Sequence, residues 1–219
     1  MKDLRLFHNA TSEDALYYVM DPMCSWCWAF APALQSVVDD DRLNQPLVYV
    51  MGGLAADTDD PMSPAMQQQI ARIWQHIEAL TGARFNHAFW QQNNPRRATF
   101  AACRAVIAAE ALAAGAFAAM IDAIQRGYYL RALNPSETSV LVQLAEETGL
   151  PSAPFADLLA SEAVTIRLTE HLRWRDRLLV QGYPALVYWH EQQAIPVISG
   201  YCARAELEQA LRRRGLLRE

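Results

Sequence analysis

Apolar residues along this chain fall into two kinds of run. Short, continuous, β-favouring runs lie toward the two ends: ALYYVM at 15–20, LVYVM at 47–51, ALVYW at 185–189 and IPVIS at 195–199. Apolar runs of that length, closed by Asp-Pro, Gly-Gly or a polar turn, predict buried strands. The polar stretch 190–194 between the last two predicts a hairpin. Elsewhere the apolar residues recur at three- and four-residue steps, which is the spacing of one helix face. That periodicity predicts helices over 25–38 (Trp26, Phe30, Ala33, Leu34, Val37) and 65–80 (Met66, Ile70, Ile73, Trp74, Ile77). Further helices are predicted over 97–114, 117–129, 136–147, 156–179 (as one helix or two) and 203–213. Pro32 should kink the helix it sits in, because it removes an internal hydrogen bond. Ser136 is placed to cap the helix at 136–147.

The order is strand, helix, strand, a long helical block, then hairpin and helix. It predicts an α/β protein whose small mixed sheet is interrupted by a helical insertion. On this reading residues 1–62 and 181–219 are the two parts of one sheet domain, and 63–180 form the insertion. Composition removes several function classes. The 219 residues carry a formal net charge of −5, whereas a protein that tracks a phosphate backbone normally shows a basic footprint. The RRRGLLR run near the C-terminus suits a helix end, where cations complement the dipole. No nucleic-acid partner is therefore expected. The opening MKDLRLFHNATSEDALYYVM lacks the apolar core of a signal peptide, and no segment approaches the ~18–20 apolar residues of a membrane span. The expectation is a cytoplasmic chain with no membrane partner.

The candidate chemistry lies in DPMCSWCWAF at 21–30, where Cys24 and Cys27 are separated by Ser25 and Trp26. Such a pair could ligate a metal, hold a structural disulfide or shuttle electrons. A structural zinc site needs four ligands, usually in two paired clusters. Cys103 and Cys202 stand alone with no histidine at finger-like spacing, so no metal is expected. In a reducing compartment a permanent disulfide is also disfavoured. A redox dithiol is the favoured reading. Cys24 follows a buried strand and opens a helix, where unpaired N–H groups and the positive dipole end favour a thiolate. Cys27 lies one turn further in and is placed to attack a mixed disulfide formed at Cys24. Asp21 could accept or relay the Cys27 proton, or simply head an Asp-Pro turn, and the turn is favoured. Met23, Ser25 and Trp26 are candidates for gripping substrate, and Trp28 reads as core. Cys103 reads as a small buried hydrophobe. Cys202 could be a third redox thiol, but no role is favoured for it. Gly182-Tyr183-Pro184-Ala185 precedes a strand, where either peptide isomer fits and trans is the commoner.

Taken together, DPMCSWCW after a strand, a long helical insertion and GYPALVYW before a hairpin resemble the DsbA-like branch of the thioredoxin superfamily. The chain looks most like its bacterial predicted protein-disulfide isomerase group, which also resembles the FrnE-like proteins. The resemblance implies a thioredoxin-like fold with a central mixed β-sheet and a large all-helical insertion. It implies that Cys24 is a solvent-exposed nucleophile and Cys27 the resolving thiol. It also implies that Pro184 is cis against the dithiol and that Tyr183 offers its backbone to an extended substrate. Protein or peptide disulfides are the implied substrates. No resident cofactor is implied, and glutathione is the candidate reductant. The Ser-Trp spacer departs from the Pro-His of the oxidising periplasmic members, so a milder couple acting as a reductase or isomerase is expected. Glutathione-dependent transferases and isomerases of the kappa and chromene-carboxylate type share this architecture and are the alternative. They typically carry a single Ser or Cys where this chain has a pair. A third reading is a non-enzymatic partner or chaperone that uses the aromatic residues around the thiols.

Overall fold

The computed structural model describes residues 4–8 and 14–218. Among these the chain runs β1 (Leu4–Leu6), β2 (Ala15–Met20), α1 (Ser25–Asp39), β3 (Leu47–Met51), α2 (Pro64–Thr81), α3 (Phe89–Gln92) and α4 (Phe100–Leu112). It continues through α5 (Ala116–Arg131), α6 (Thr138–Glu147), α7 (Ser152–Leu159), α8 (Glu162–Arg177), β4 (Ala185–His190), β5 (Gln193–Ser199) and α9 (Arg204–Arg213). All four strands anticipated from the apolar runs are present. β1 was not foreseen, because LRL is too short and too mixed to stand out from the background.

The described strands form one five-stranded sheet in the order β1-β3-β2-β4-β5. β1 and β2 both run parallel to β3, whereas β4 runs antiparallel to β2 and to β5. This is the mixed sheet of a thioredoxin-like fold. β2 is buried at every residue because it lies at the centre with both faces covered, which is why it reads as an unbroken apolar run. On one face Tyr17, Val19, Val48, Val50, Ala185, Val187 and Trp189 pack with Phe7, Trp174 and Leu178. Trp174 stacks on Phe7 at 5.4 Å and meets Trp189 at 5.0 Å. Alternate strand residues, among them Tyr18, face the other way, and Tyr18 meets Phe30 of α1 at 5.9 Å. α1 and α9 pack on each other, with Leu34 and Val37 of α1 and Leu207 and Leu211 of α9 buried. Pro196 falls within β5, opposite Val187, where the ladder is irregular. An edge strand tolerates its missing N–H. α1 runs through Pro32 to Asp39 as a single helix.

The chain divides into two compact units, Met1–Gly52 with Thr169–Glu219, and Gly53–Leu168. The sequence pattern put these borders at 62/63 and 180/181. The later border falls inside α8 because His171, Trp174 and Leu178 are packed with the sheet unit rather than with the helices. In the helical unit Trp74 is fully buried among Phe85, Phe89, Trp90 and Tyr129, with ring centroids 4.8–5.7 Å away. The alanines of α4 are buried where it meets α5 and α7, since small side chains let helices approach closely. α2 starts and stops as its sequence signals demand: Ser63 Oγ accepts from Met66 N at 3.3 Å, Pro64 leads, and Gly82 closes it at φ 73°.

Two local expectations are corrected. Ser136 does not cap α6, whose capping residue is Glu137. Asn134 has captured it instead, accepting from Ser136 N at 3.2 Å and from Ser136 Oγ at 2.7 Å. α4 begins at Phe100 rather than 97 because Thr99 is tied to another segment. Its N–H donates to Ala55 O at 3.0 Å and its hydroxyl accepts from Ala55 N at 3.1 Å. The long helical run near 156–179 resolves into two helices, α7 and α8, broken at 160–161.

Candidate active site

β2 ends at Met20 and α1 begins at Ser25, so the four residues between them set where the first cysteine lies. Asp21 builds that link. Its carboxylate accepts from Met23 N at 2.8 Å and its carbonyl accepts from Cys24 N at 3.0 Å. Asp21 is fully buried, and an unmet Met23 N–H in its place would cost about 1–3 kcal/mol. The turn reading of Asp21 is therefore realised in the geometry. Cys24 is the capping residue of α1, in extended conformation, and its carbonyl accepts from Trp28 N at 3.1 Å. Cys27, one turn on, is 0% exposed.

Opposite this helix end lies the segment before β4. The Tyr183–Pro184 peptide bond is cis, and the Cys24 thiol donates a long contact, 3.7 Å, to Tyr183 O. Pro184 O accepts from Gly200 N at 2.8 Å, which ties the segment to the end of β5. The Tyr183 ring lies against Gly52. Its hydroxyl donates to Gly52 O at 2.7 Å, and Arg175 Nη1 donates to the same carbonyl at 2.8 Å. A Cβ at Gly52 would lie 2.3 Å from Tyr183 Cε1, so only glycine leaves room for the ring.

The structure thus brings together Cys24, Cys27, Tyr183 and Pro184. No disulfide joins Cys24 and Cys27, which are both in the thiol form. Cys24 is only 6% exposed, which corrects the solvent-exposed position that the resemblance implied: the Tyr183 carbonyl lies over its sulfur. Met23 is buried rather than an open grip, and its N–H is held by the Asp21 turn. Ser25 and Trp26 are half-buried. The Trp26 ring lies 5.8 Å from that of Tyr201, which follows β5. Trp28 is half-buried rather than core. Cys103 is fully buried in α4, as expected of a small hydrophobe. Among the described residues, no cluster of three or more His, Cys, Asp or Glu is placed to hold a metal ion.

Burial governs the electrostatics. It is the largest of the causes that hold the Cys27 thiol well above its ordinary range, followed by the hydrogen bond with Cys24. Tyr18 on β2 is held well above the phenol range, first by burial and then by the charge of Cys27. Burial also pushes the Cys202 thiol to about 11, and Glu206 adds to the effect. The sequence reading missed Tyr18, Gly52, Arg175 and Tyr201. Tyr18 looks like any core residue of a strand. The other three act only through the tertiary fold, although the Gly52-Gly53 stop was a visible signal.

A family model of the DSBA-like thioredoxin domain matches residues 16–212. The chain is 21% identical over 191 residues to the ClpXP adapter protein SpxH of Bacillus subtilis (strain 168), a match covering 85% of this chain. It spans 62% of that relative's length. Among solved structures it resembles a candidate protein disulfide isomerase from Nitrosomonas europaea, at 26% identity and a TM-score of 0.78, covering 92% of this chain and 97% of that one. It also resembles the cytosolic disulfide reductase DsbM from Pseudomonas aeruginosa, at 22% identity and a TM-score of 0.72, covering 91% and 98%. DsbM has also been solved with GSH.

Gly52→Ala is expected to cost about 1–3 kcal/mol through overpacking against Tyr183, read as a lowered urea midpoint. Cys202 stays protonated until the pH nears the raised value of about 11. Its alkylation should therefore climb roughly tenfold per pH unit between about pH 7 and about pH 10 without a plateau, as followed by peptide mass spectrometry. A plateau near the ordinary thiol range would contradict the burial argument.

Proposed function

The chain belongs to the DSBA-like thioredoxin family, and from that premise we propose that it is a thiol–disulfide oxidoreductase working as a reductase or isomerase in the cytoplasm. The observation that carries this reading is the free dithiol at the start of α1, with the Cys24 sulfur beneath the Tyr183 carbonyl. Cys24 attacks a disulfide of a protein or peptide, forming a mixed disulfide and releasing one substrate thiol. Cys27 then attacks Cys24 Sγ. The Cys24–Cys27 disulfide forms, the bond to substrate breaks, and the second substrate sulfur leaves with the electron pair and takes up a proton. The backbone of Tyr183 and Pro184 borders the extended substrate, and the Trp26–Tyr201 pair offers it an apolar ledge. No resident cofactor takes part. Glutathione, as a thiol reductant, returns the pair to the dithiol.

The spacer supports this direction of flux. Neither Ser25 nor Trp26 can place a cationic imidazole beside Cys24, so the Cys24 thiolate gains no such stabilisation and the disulfide is the weaker oxidant. The half-buried Trp26 is instead engaged with Tyr201. Cytoplasmic work is supported by the likeness to DsbM, described as a cytosolic disulfide reductase. The intact cysteine pair argues for redox turnover over an adapter role such as that named for SpxH, and over glutathione transfer.

Insulin reduction with glutathione as electron donor tests the reading. Wild type is expected to turn over, Cys24→Ser to lose at least about 100-fold in rate, and Cys27→Ser to accumulate a mixed disulfide. Equal turnover by wild type and Cys24→Ser would defeat the proposal. Glutathione transfer to an electrophile that survives Cys27→Ser would replace it with the transferase or isomerase alternative. In a glutathione buffer of cytosolic poise the pair should equilibrate mainly as the dithiol, scored by alkylation and mass shift. A mainly disulfide population would rule out glutathione as the electron donor.

A further inference from the structure

The sheet face away from α1 is not fully covered. Beside β4 and β5 it opens into a cleft of about 480 Å³. Its floor is Ala185 and Val187 of β4 with Ala194 and Pro196 of β5, and its wall is the segment 178–183 that leads from α8 into β4. The two alanines leave room that larger side chains would fill. At one end the cleft is continuous with the redox site, because Tyr183 and Gly200 line it. Tyr183 O lies over the Cys24 sulfur at 3.7 Å, and Gly200 N donates to Pro184 O at 2.8 Å.

Leu179, on the wall, breaks two local rules. It follows the end of α8 in left-handed backbone, at φ 58°. Its N–H donates to Asp176 O at 3.0 Å, and Val180 N donates to Arg175 O at 3.3 Å. This is the helix-ending geometry in which glycine is the usual residue, since a Cβ there adds strain. Leu179 is also 78% exposed, the most of any large apolar side chain among the described residues. A leucine kept where it is both strained and wetted points to an apolar occupant of the cleft beside it.

We propose that this cleft is a specificity subsite, which receives an apolar side chain from a residue next to the reacting cysteine of the substrate, with Leu179 selecting for it. The inference rests on the oxidoreductase reading above. An extended chain alternates its side chains between two faces. When substrate runs along the Tyr183 backbone with its cysteine facing Cys24, the neighbouring side chains turn to the other face. Cys24 heads α1, so that other face is the one on which the cleft opens. Its volume is in the range of ligand pockets and accommodates a leucine or phenylalanine side chain. Apolar residues and the cysteines among them are mostly buried in folded proteins. The subsite therefore favours disulfides of unfolded or misfolded chains, where such segments are accessible.

The test is reduction, with glutathione as donor, of two disulfide peptides that differ only beside each cysteine, leucine in one and serine in the other. Wild type is expected to favour the leucine peptide about tenfold in kcat/KM. The difference should lie in KM, since burying an apolar side chain acts on binding rather than on sulfur exchange. Leu179→Gly removes part of the wall and Ala194→Leu fills the floor. Each is expected to shrink the preference to about twofold or less. Leu179→Gly should also hold the wild-type urea midpoint, because glycine suits the left-handed position. Equal kcat/KM for the two peptides with wild type would overturn the proposal, as would a tenfold preference that survives either substitution. A dimer in sedimentation velocity that Leu179→Gly dissociates would also overturn it, assigning the cleft to a second copy of this chain. Reduction of neither peptide by wild type is a separate result and defeats the oxidoreductase reading itself.

Discussion

The antiparallel pairing of β2 with β4 sets Val19 opposite Ala185, and the site depends on that register. Both strands leave the sheet at the same end. The turn after β2 therefore delivers Cys24 to the place where Tyr183 and Pro184 enter β4, although Cys24 and Tyr183 are 159 positions apart in sequence. A slip of one residue would turn every side chain of β4 to the opposite face. It would expose Val187 and Trp189, which are packed with Tyr17 and Trp174. The apolar content of the strands thus holds a polar site in alignment.

Gly52 is the second point on which this alignment rests. It ends β3, donates to Met20 O at the end of β2 and accepts from both Tyr183 and Arg175. One glycine carbonyl therefore links three segments of the sheet unit around the thiols. The ring of Tyr183 serves this linkage, and its carbonyl faces the sulfur. Arg175 reaches the link from the C-terminal part of α8, which is packed with the sheet unit.

The chemistry beneath the sulfurs is that of a nearly dry interior. Cys27, Tyr18 and Asp21 are all buried, and in such surroundings charge is opposed unless hydrogen bonds meet it. Asp21 carries its carboxylate there by accepting the Met23 N–H, and the same bond shapes the turn that presents Cys24. Cys27 is kept neutral by burial. Burial therefore opposes formation of its thiolate.

Much of this was legible in the residues. β2, β3, β4 and β5 were visible because strands buried on both faces, or paired in a hairpin, leave unbroken apolar runs bounded by turn residues. The helices were visible through their three- and four-residue spacing. The cysteine pair and Tyr183-Pro184 were visible because each is a rare local pattern at a strand end. What stayed hidden depended on competition or distance. Ser136 does not cap α6, because its hydroxyl is bound by Asn134, a capture that no pattern marks. Gly52 showed only as a strand stop, since the ring packed against it comes from Tyr183. The sequence by itself determined the elements and the reactive pair, because local periodicity and residue type suffice for both. Only the tertiary structure decided that Cys24 lies covered and that the Tyr183 ring is a brace on Gly52. Each of these is a contact across the sheet unit, set by strand register and burial rather than by neighbours in sequence.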